Sequence, residues 1–208
     1  MENLINSPKL DIDISHRANR TNGYWSFRRP KPDYWAWADI FSYDECESII
    51  EIGKNIGLVS GESGFEGISD YRRSNISFMF PSAYTEWIFY RLEHAIENLN
   101  TFFGFEIDGM GEGIQFTEYK APDGHYNWHC DVGEPANVRK LSITVELSDP
   151  NDFEGGQLEL NPTGKIAQID KVRGRATAFP SYMLHRVTPV TSGTRYSLVV
   201  WVAGPPFK

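Results

Sequence analysis

The residues with the clearest chemical potential are His129-Cys130-Asp131, within the stretch Gly124-His125-Tyr126-Asn127-Trp128-His129-Cys130-Asp131. On an extended strand, residues i and i+2 point to the same face. An imidazole and a carboxylate therefore aim at one point. A third ligand, for which His185 after a later apolar run is the best candidate, would complete a set of two histidines and one carboxylate. Such a set occupies one face of an iron(II) ion and leaves positions open for oxygen and a co-substrate. Cys130 between the two ligands should point away from that face, as a buried small hydrophobe.

A second pattern lies near the C-terminus. Arg195-Tyr196-Ser197-Leu198-Val199-Val200-Trp201 alternates, so Arg195, Ser197, Val199 and Trp201 share a face. A guanidinium buried in an apolar strand wants a carboxylate, which it grips through two parallel hydrogen bonds. A keto dicarboxylate such as 2-oxoglutarate could chelate iron at one end and meet Arg195 at the other, with Ser197 donating a further hydrogen bond. His125, four residues before His129, shares its face if the strand is regular, which makes it a mouth or supporting residue.

These groups need a scaffold. Ser42-Tyr43-Asp44-Glu45 has the form of a capping box and opens a first helix. Ile49, Ile50 and Ile52 continue it, and Gly53 and Gly57 mark its end. Residues 71–80 read as a strand. A second helix runs over about 82–100, with Ile88, Leu92, Ala95, Ile96 and Leu99 as its apolar stripe and His94 at its surface. From Gly111 the pattern changes to short strands. Residues 141–148 put Leu141, Ile143, Val145 and Leu147 on one face and Ser142, Thr144 and Glu146 on the other, which suggests a wet or ligand-holding interior. Further strands are expected at 157–160, 165–170, 176–179 and 195–203. Residues 1–23 read as a polar arm containing a solvated His16. Residues 24–37 hold an aromatic cluster, read as a flap over the core. Residues 61–67 read as a loop. The expected class is α+β: a double-sheet jelly roll over 111–203, preceded by an arm and supporting helices over 1–110, in one domain of 208 residues.

Composition agrees with a single soluble core. The chain is 40% apolar and 23% charged, ordinary for a globular protein. A net charge of −8 argues against broad binding to nucleic acid or anionic membrane. Two cysteines, Cys46 and Cys130, imply no disulfide framework. Residues 1–6 lack the basic and apolar regions of a signal peptide, and no apolar run approaches the roughly 20 residues of a membrane span. A cytoplasmic location is the expectation.

Over about residues 111–203 the sequence resembles the iron(II)/2-oxoglutarate dioxygenases, in particular their prolyl 4-hydroxylase-like branch. The matching text is Tyr119 with Gly124 and Tyr126, His129-Cys130-Asp131, Leu147 to Pro150, Phe153 to Leu158, Gly174 to Ser181, His185 to Val190, and Gly193 to Ser197. The resemblance implies iron(II) on His129, Asp131 and His185, and the distal carboxylate of 2-oxoglutarate on Arg195, where many relatives have lysine. It places Tyr119, Thr144 and Trp201 around the co-substrate and Arg139 near the substrate, with His125 and Tyr126 as further substrate contacts. The implied reaction hydroxylates an unactivated C–H bond, most readily of a prolyl residue in a peptide or protein, and releases succinate and CO2, with ascorbate as reductant. Glu146 departs from the pattern, because some relatives place there a residue that hydrogen-bonds 2-oxoglutarate. Nucleic-acid demethylases of the wider superfamily carry a second arginine after the first in the last motif. None follows Arg195 here, which disfavours a nucleic-acid substrate; a small molecule stays open. Two other classes also stay open: a metal-binding jelly-roll module without turnover, and a zinc hydrolase. Neither has a use for Arg195.

Overall fold

The computed structural model describes residues 34–61, 71–133 and 138–206. The expected arm, most of the aromatic cluster and nearly all of the 61–67 loop lie outside these residues. In chain order the elements are β1 (Ala36–Asp39), α1 (Tyr43–Ile56), β2 (Val59–Ser60), β3 (Arg72–Arg73), β4 (Asn75–Met79), α2 (Glu86–Phe103), β5 (Gly109–Met110), β6 (Ile114–Lys120), β7 (Gly124–His129), β8 (Arg139–Glu146), β9 (Phe153–Gly155), β10 (Leu158–Leu160), β11 (Ala167–Gln168), β12 (Arg175–Pro180) and β13 (His185–Ala203).

Both helices form as the sequence indicates. Ser42 caps α1, accepting from the Glu45 amide while the Glu45 carboxylate accepts from the Ser42 amide. Gly57 follows the last residue. Gly53 does not end the helix. It is buried within it, and a Cβ there would lie 2.4 Å from the Phe116 ring, so glycine permits close approach of helix to sheet. All five stripe residues of α2 are buried, and His94 is exposed.

The strands form two sheets joined by β13. The major sheet has the order β1-β12-β8-β13-β6-β4-β2. The minor sheet pairs β3 with β7, β7 with the first half of β13, and that half with β9 and β10. Along β8, Leu141, Ile143 and Val145 join Leu198, Val200 and Val202 of β13 in the core beneath the helices. Ser142, Thr144 and Glu146 face the opposite way, toward the space between the sheets. A second apolar cluster, including Phe153, Leu160, Phe179 and Val190, closes that space on the far side. The architecture is the expected α+β jelly roll, and the N-terminal half also adds strands β1 to β4. The expected final strand at 195–203 is longer, because β13 starts at His185 and passes through both sheets.

Candidate active site

His129 ends β7, and His185 begins β13 directly opposite in the antiparallel register. Asp131 lies just beyond β7, where the amides of Asp131 and Val132 both donate to the Ser181 carbonyl. The three side chains converge, all buried, with one ligand atom from each within 4.8 Å of the others. His129 Nε2 is 3.6 Å from one Asp131 oxygen, and His185 Nε2 is 3.6 Å from the other. Donors about 2.1 Å from a metal and at right angles to one another lie roughly 3 Å apart, so small adjustments would admit an ion.

The surroundings fix the donor atoms. His129 Nδ1 lies 2.7 Å from the Asn127 carbonyl, and His185 Nδ1 lies 2.9 Å from that of Met183. Each carbonyl requires a proton on Nδ1, leaving the Nε2 lone pair to face the site. Burial, and then the neighbouring His185, push the His129 pKa down to about 3, so the ring is neutral at physiological pH. Burial opposes the charge on Asp131, but His185, His129 and the Ser142 hydroxyl outweigh it and hold the carboxyl below its usual range. The Ser142 hydroxyl donates to Asp131 Oδ2 at 2.5 Å. The Trp201 indole N–H is buried without a hydrogen-bond partner.

A cavity of about 460 Å³ opens from this cluster between the sheets. Its walls include Tyr119, Thr144, Arg195, Ser197 and Trp201, the five residues expected around a co-substrate. Arg195 is 1% exposed. Its Nε donates to Glu146 at 2.8 Å, while its Nη1 is buried and unpaired. Such an unpaired guanidinium nitrogen suits an incoming carboxylate. The volume falls within the range of small-molecule sites.

The outer residues are arranged less simply. Tyr126 stacks on the His129 ring with centroids 3.5 Å apart and lines the cavity. His125 does not line it and sits 2.8 Å from the Asp123 carbonyl. The cause is a register shift between β7 and β13: the two residues between Tyr126 and His129 face the single residue between His185 and Val187. This extra residue breaks the period-two alternation that would have put His125 beside His129. Arg139 lines the cavity, but its guanidinium is held by Glu112 through two 2.6 Å bonds and also donates to the Asp131 carbonyl. Cys130 is exposed rather than buried, with its thiol donating to the Tyr182 carbonyl; it follows the strand's last residue and escapes the packing a strand position would impose. Arg72, Ile76, Phe78 and Gln115 also line the cavity and carry no motif that the sequence alone would reveal.

Residues 114–203 match the family model of the 2OG-Fe(II) oxygenase superfamily, the segment that contains the triad and Arg195. The match covers less than half of the chain, and over that stretch the jelly roll is similar to that superfamily. The chain is 38% identical over 85 residues to a PKHD-type hydroxylase of Pseudomonas fluorescens, covering 38% of each protein. It is 44% identical over 82 residues to another from Hyphomonas neptunium, covering 37% of each. The chain thus spans less than half the length of these curated relatives. Solved structures share the oxygenase fold more widely. A Pseudomonas putida prolyl-4-hydroxylase superposes with a TM-score of 0.65 at 20% identity, over 83% of this chain and 93% of that one. A Trichoplax adhaerens prolyl hydroxylase, solved with a hypoxia inducible factor peptide fragment, gives 0.66 at 19%, over 83% and 84%. Among the described residues, no helix is long and apolar enough to cross a membrane.

Proposed function

We propose that the protein is an Fe(II)- and 2-oxoglutarate-dependent dioxygenase that hydroxylates a prolyl residue of a peptide or protein, with release of succinate and CO2. The observation that carries this reading is the shared cavity: two histidines and a carboxylate at one end, and a buried arginine with an unpaired nitrogen at the other. His129, Asp131 and His185 would hold iron, which when bound supplies the oxygen chemistry. The chain's own part is to position and to exclude water. Ser142 fixes the Asp131 carboxylate, Tyr126 braces the His129 ring, and Arg195 receives the distal carboxylate of the co-substrate. Relatives described as PKHD-type hydroxylases and a structural neighbour solved with a peptide support a prolyl peptide as substrate.

The test is succinate formation from 2-oxoglutarate with iron(II), ascorbate and oxygen, first without substrate and then with prolyl peptides, against a His129→Ala control. Slow turnover lost in the control and raised by a prolyl peptide is the expected result. Absence of turnover together with absence of 2-oxoglutarate binding to metal-loaded protein would overturn it. The Glu146–Arg195 pair favours a second reading, a metal-binding module without turnover, because it gives Arg195 a carboxylate partner without any co-substrate. Metal binding without 2-oxoglutarate binding is the result which that reading expects.

A further inference from the structure

The deep end of the cavity contains more charge than one arginine. Arg195 is paired through Nε with Glu146, and both side chains are below 10% exposure. Such a pair has little net charge to offer a second carboxylate. Directly behind it is a small recess bordered by Thr144, Glu146, Asp170, Lys171, Arg175 and Arg195. Arg175 is committed elsewhere, bonded to Asp39 through Nε and Nη2. Lys171 is not committed to an acid: its Nζ donates to the Gly155 carbonyl at 2.6 Å and lies 4.4 Å from the centre of the Phe153 ring. It is only part-buried, and its charge bears on both Glu146 and Arg195. The backbone is shaped to seat Arg195. Gly156 adopts φ +59°, and a Cβ there would sit 3.0 Å from Arg195 Cδ and 2.9 Å from a Val190 methyl.

We propose that Glu146 and Lys171 together set selectivity for the 2-oxo acid, Glu146 fixing Arg195 so that one guanidinium nitrogen faces the cavity and Lys171 restoring the positive charge that Glu146 removes. The inference rests on the co-substrate reading above. Asp170 bears on Arg175, which is itself bonded to Asp39; the three charges that bear on one another at Arg195, two positive and one negative, leave a net single positive charge to meet one distal carboxylate. An acid without that carboxylate gains nothing from them. Neither Glu146 nor Lys171 need touch the co-substrate; both act through Arg195 and are positioning residues. One unit charge about 4 Å away shifts an affinity about fivefold even at the dielectric of bulk water, and by more inside a dry cavity.

The experiment is calorimetric titration of protein loaded with Mn(II) in place of iron, with 2-oxoglutarate and with 2-oxopentanoate, which has the same five carbons and no distal carboxylate. Glu146→Gln keeps an acceptor for Nε and removes the charge. It should tighten 2-oxoglutarate by about fivefold or more and leave 2-oxopentanoate unchanged. Lys171→Met should weaken 2-oxoglutarate by a similar factor, again without effect on 2-oxopentanoate. The double variant should return close to the parent. Thermal melts of each variant check that the fold is intact. If either single variant leaves the 2-oxoglutarate affinity unchanged, moves it the opposite way, or shifts both acids equally, the proposal is wrong and the co-substrate reading survives. If neither acid binds the parent protein, the co-substrate reading itself is wrong and this inference falls with it.

Discussion

At the scale of single residues, the site depends on groups that hold the ligands as much as on the ligands. Ser142 makes the shortest of these contacts, to Asp131. Ser142→Ala removes the bond without crowding, and loss of such a supporting contact typically costs 10- to 100-fold in metal affinity. Competition with a chelator of known affinity will show a loss in that range; an unchanged affinity would mean that the hydroxyl only fills space. The metal-free protein should also carry an acid signature. The folded His129 pKa lies at about 3, below its ordinary 6.5. Between these values the unfolded chain binds a proton that the folded chain does not, so stability rises with pH across that window and is lost on acidification. Asp131, whose carboxyl is also held low, adds a loss of the same sign below its unfolded value of 3.8. Glu146, whose carboxyl burial holds above its usual range, titrates with the opposite sign from pH 6.5 down to about 4, so the histidine's share is the part of the change that a substitution at His129 removes. Urea denaturation of metal-free protein should show a fall of a few kcal/mol there, and His129→Asn should flatten it. The convergence of His129, Asp131 and His185 was legible, since their types and spacing pointed to one site. The partners were not: Ser142 could be placed on the interior face by alternation, but nothing in the sequence said that it would reach Asp131.

At the scale of elements, alternation was the reliable guide and its interruption was the unreliable part. Thr144 of β8 and Arg195, Ser197, Val199 and Trp201 of β13 line the cavity, each on the face that period two assigns it. The capping box of α1 and the stripe of α2 likewise follow from local chemistry. The bulge in β7 does not, because no residue type marks it, and one extra residue reverses the face of everything before it. Hence Tyr126, and not His125, stacks on the His129 ring. Gly53 shows the same limit in a helix. Its sequence context suggested a stop, while its burial against Phe116 is a tertiary fact. Gly53→Ala tests which matters. Helix propensity alone would gain about 1 kcal/mol. A methyl placed 2.4 Å from the ring must displace α1 or Phe116, and overpacking of this kind costs typically 1–3 kcal/mol. Denaturant titration should show net destabilisation. Net stabilisation would show that the helix and sheet have slack at this contact.

At the scale of the molecule, the site is where the two sheets are tied together. His129 belongs to the minor sheet, Ser142 and Arg195 to the major sheet, and His185 to the strand that crosses from one to the other. The space between them is part apolar cluster and part cavity, so a group bound in the cavity adds contacts between the sheets that the metal-free protein lacks. Ligation should therefore be felt globally. Any ligand that binds only the folded state stabilises it by mass action, by about 2.7 kcal/mol at a hundredfold excess over Kd. For a chain of this length a stabilisation of 1 kcal/mol raises Tm by about 2–4 °C. Mn(II) should raise the melting temperature measured by scanning calorimetry, and 2-oxoglutarate should raise it further only when metal is present. Removing metal with a chelator should reverse both gains, and His129→Ala should abolish them. Stabilisation by 2-oxoglutarate without metal would instead place its main anchor at Arg195 and leave the triad as a separate site. The two results assign opposite roles to the same cavity, one a single chelating site that spans both sheets and the other an anion pocket beside a metal cluster.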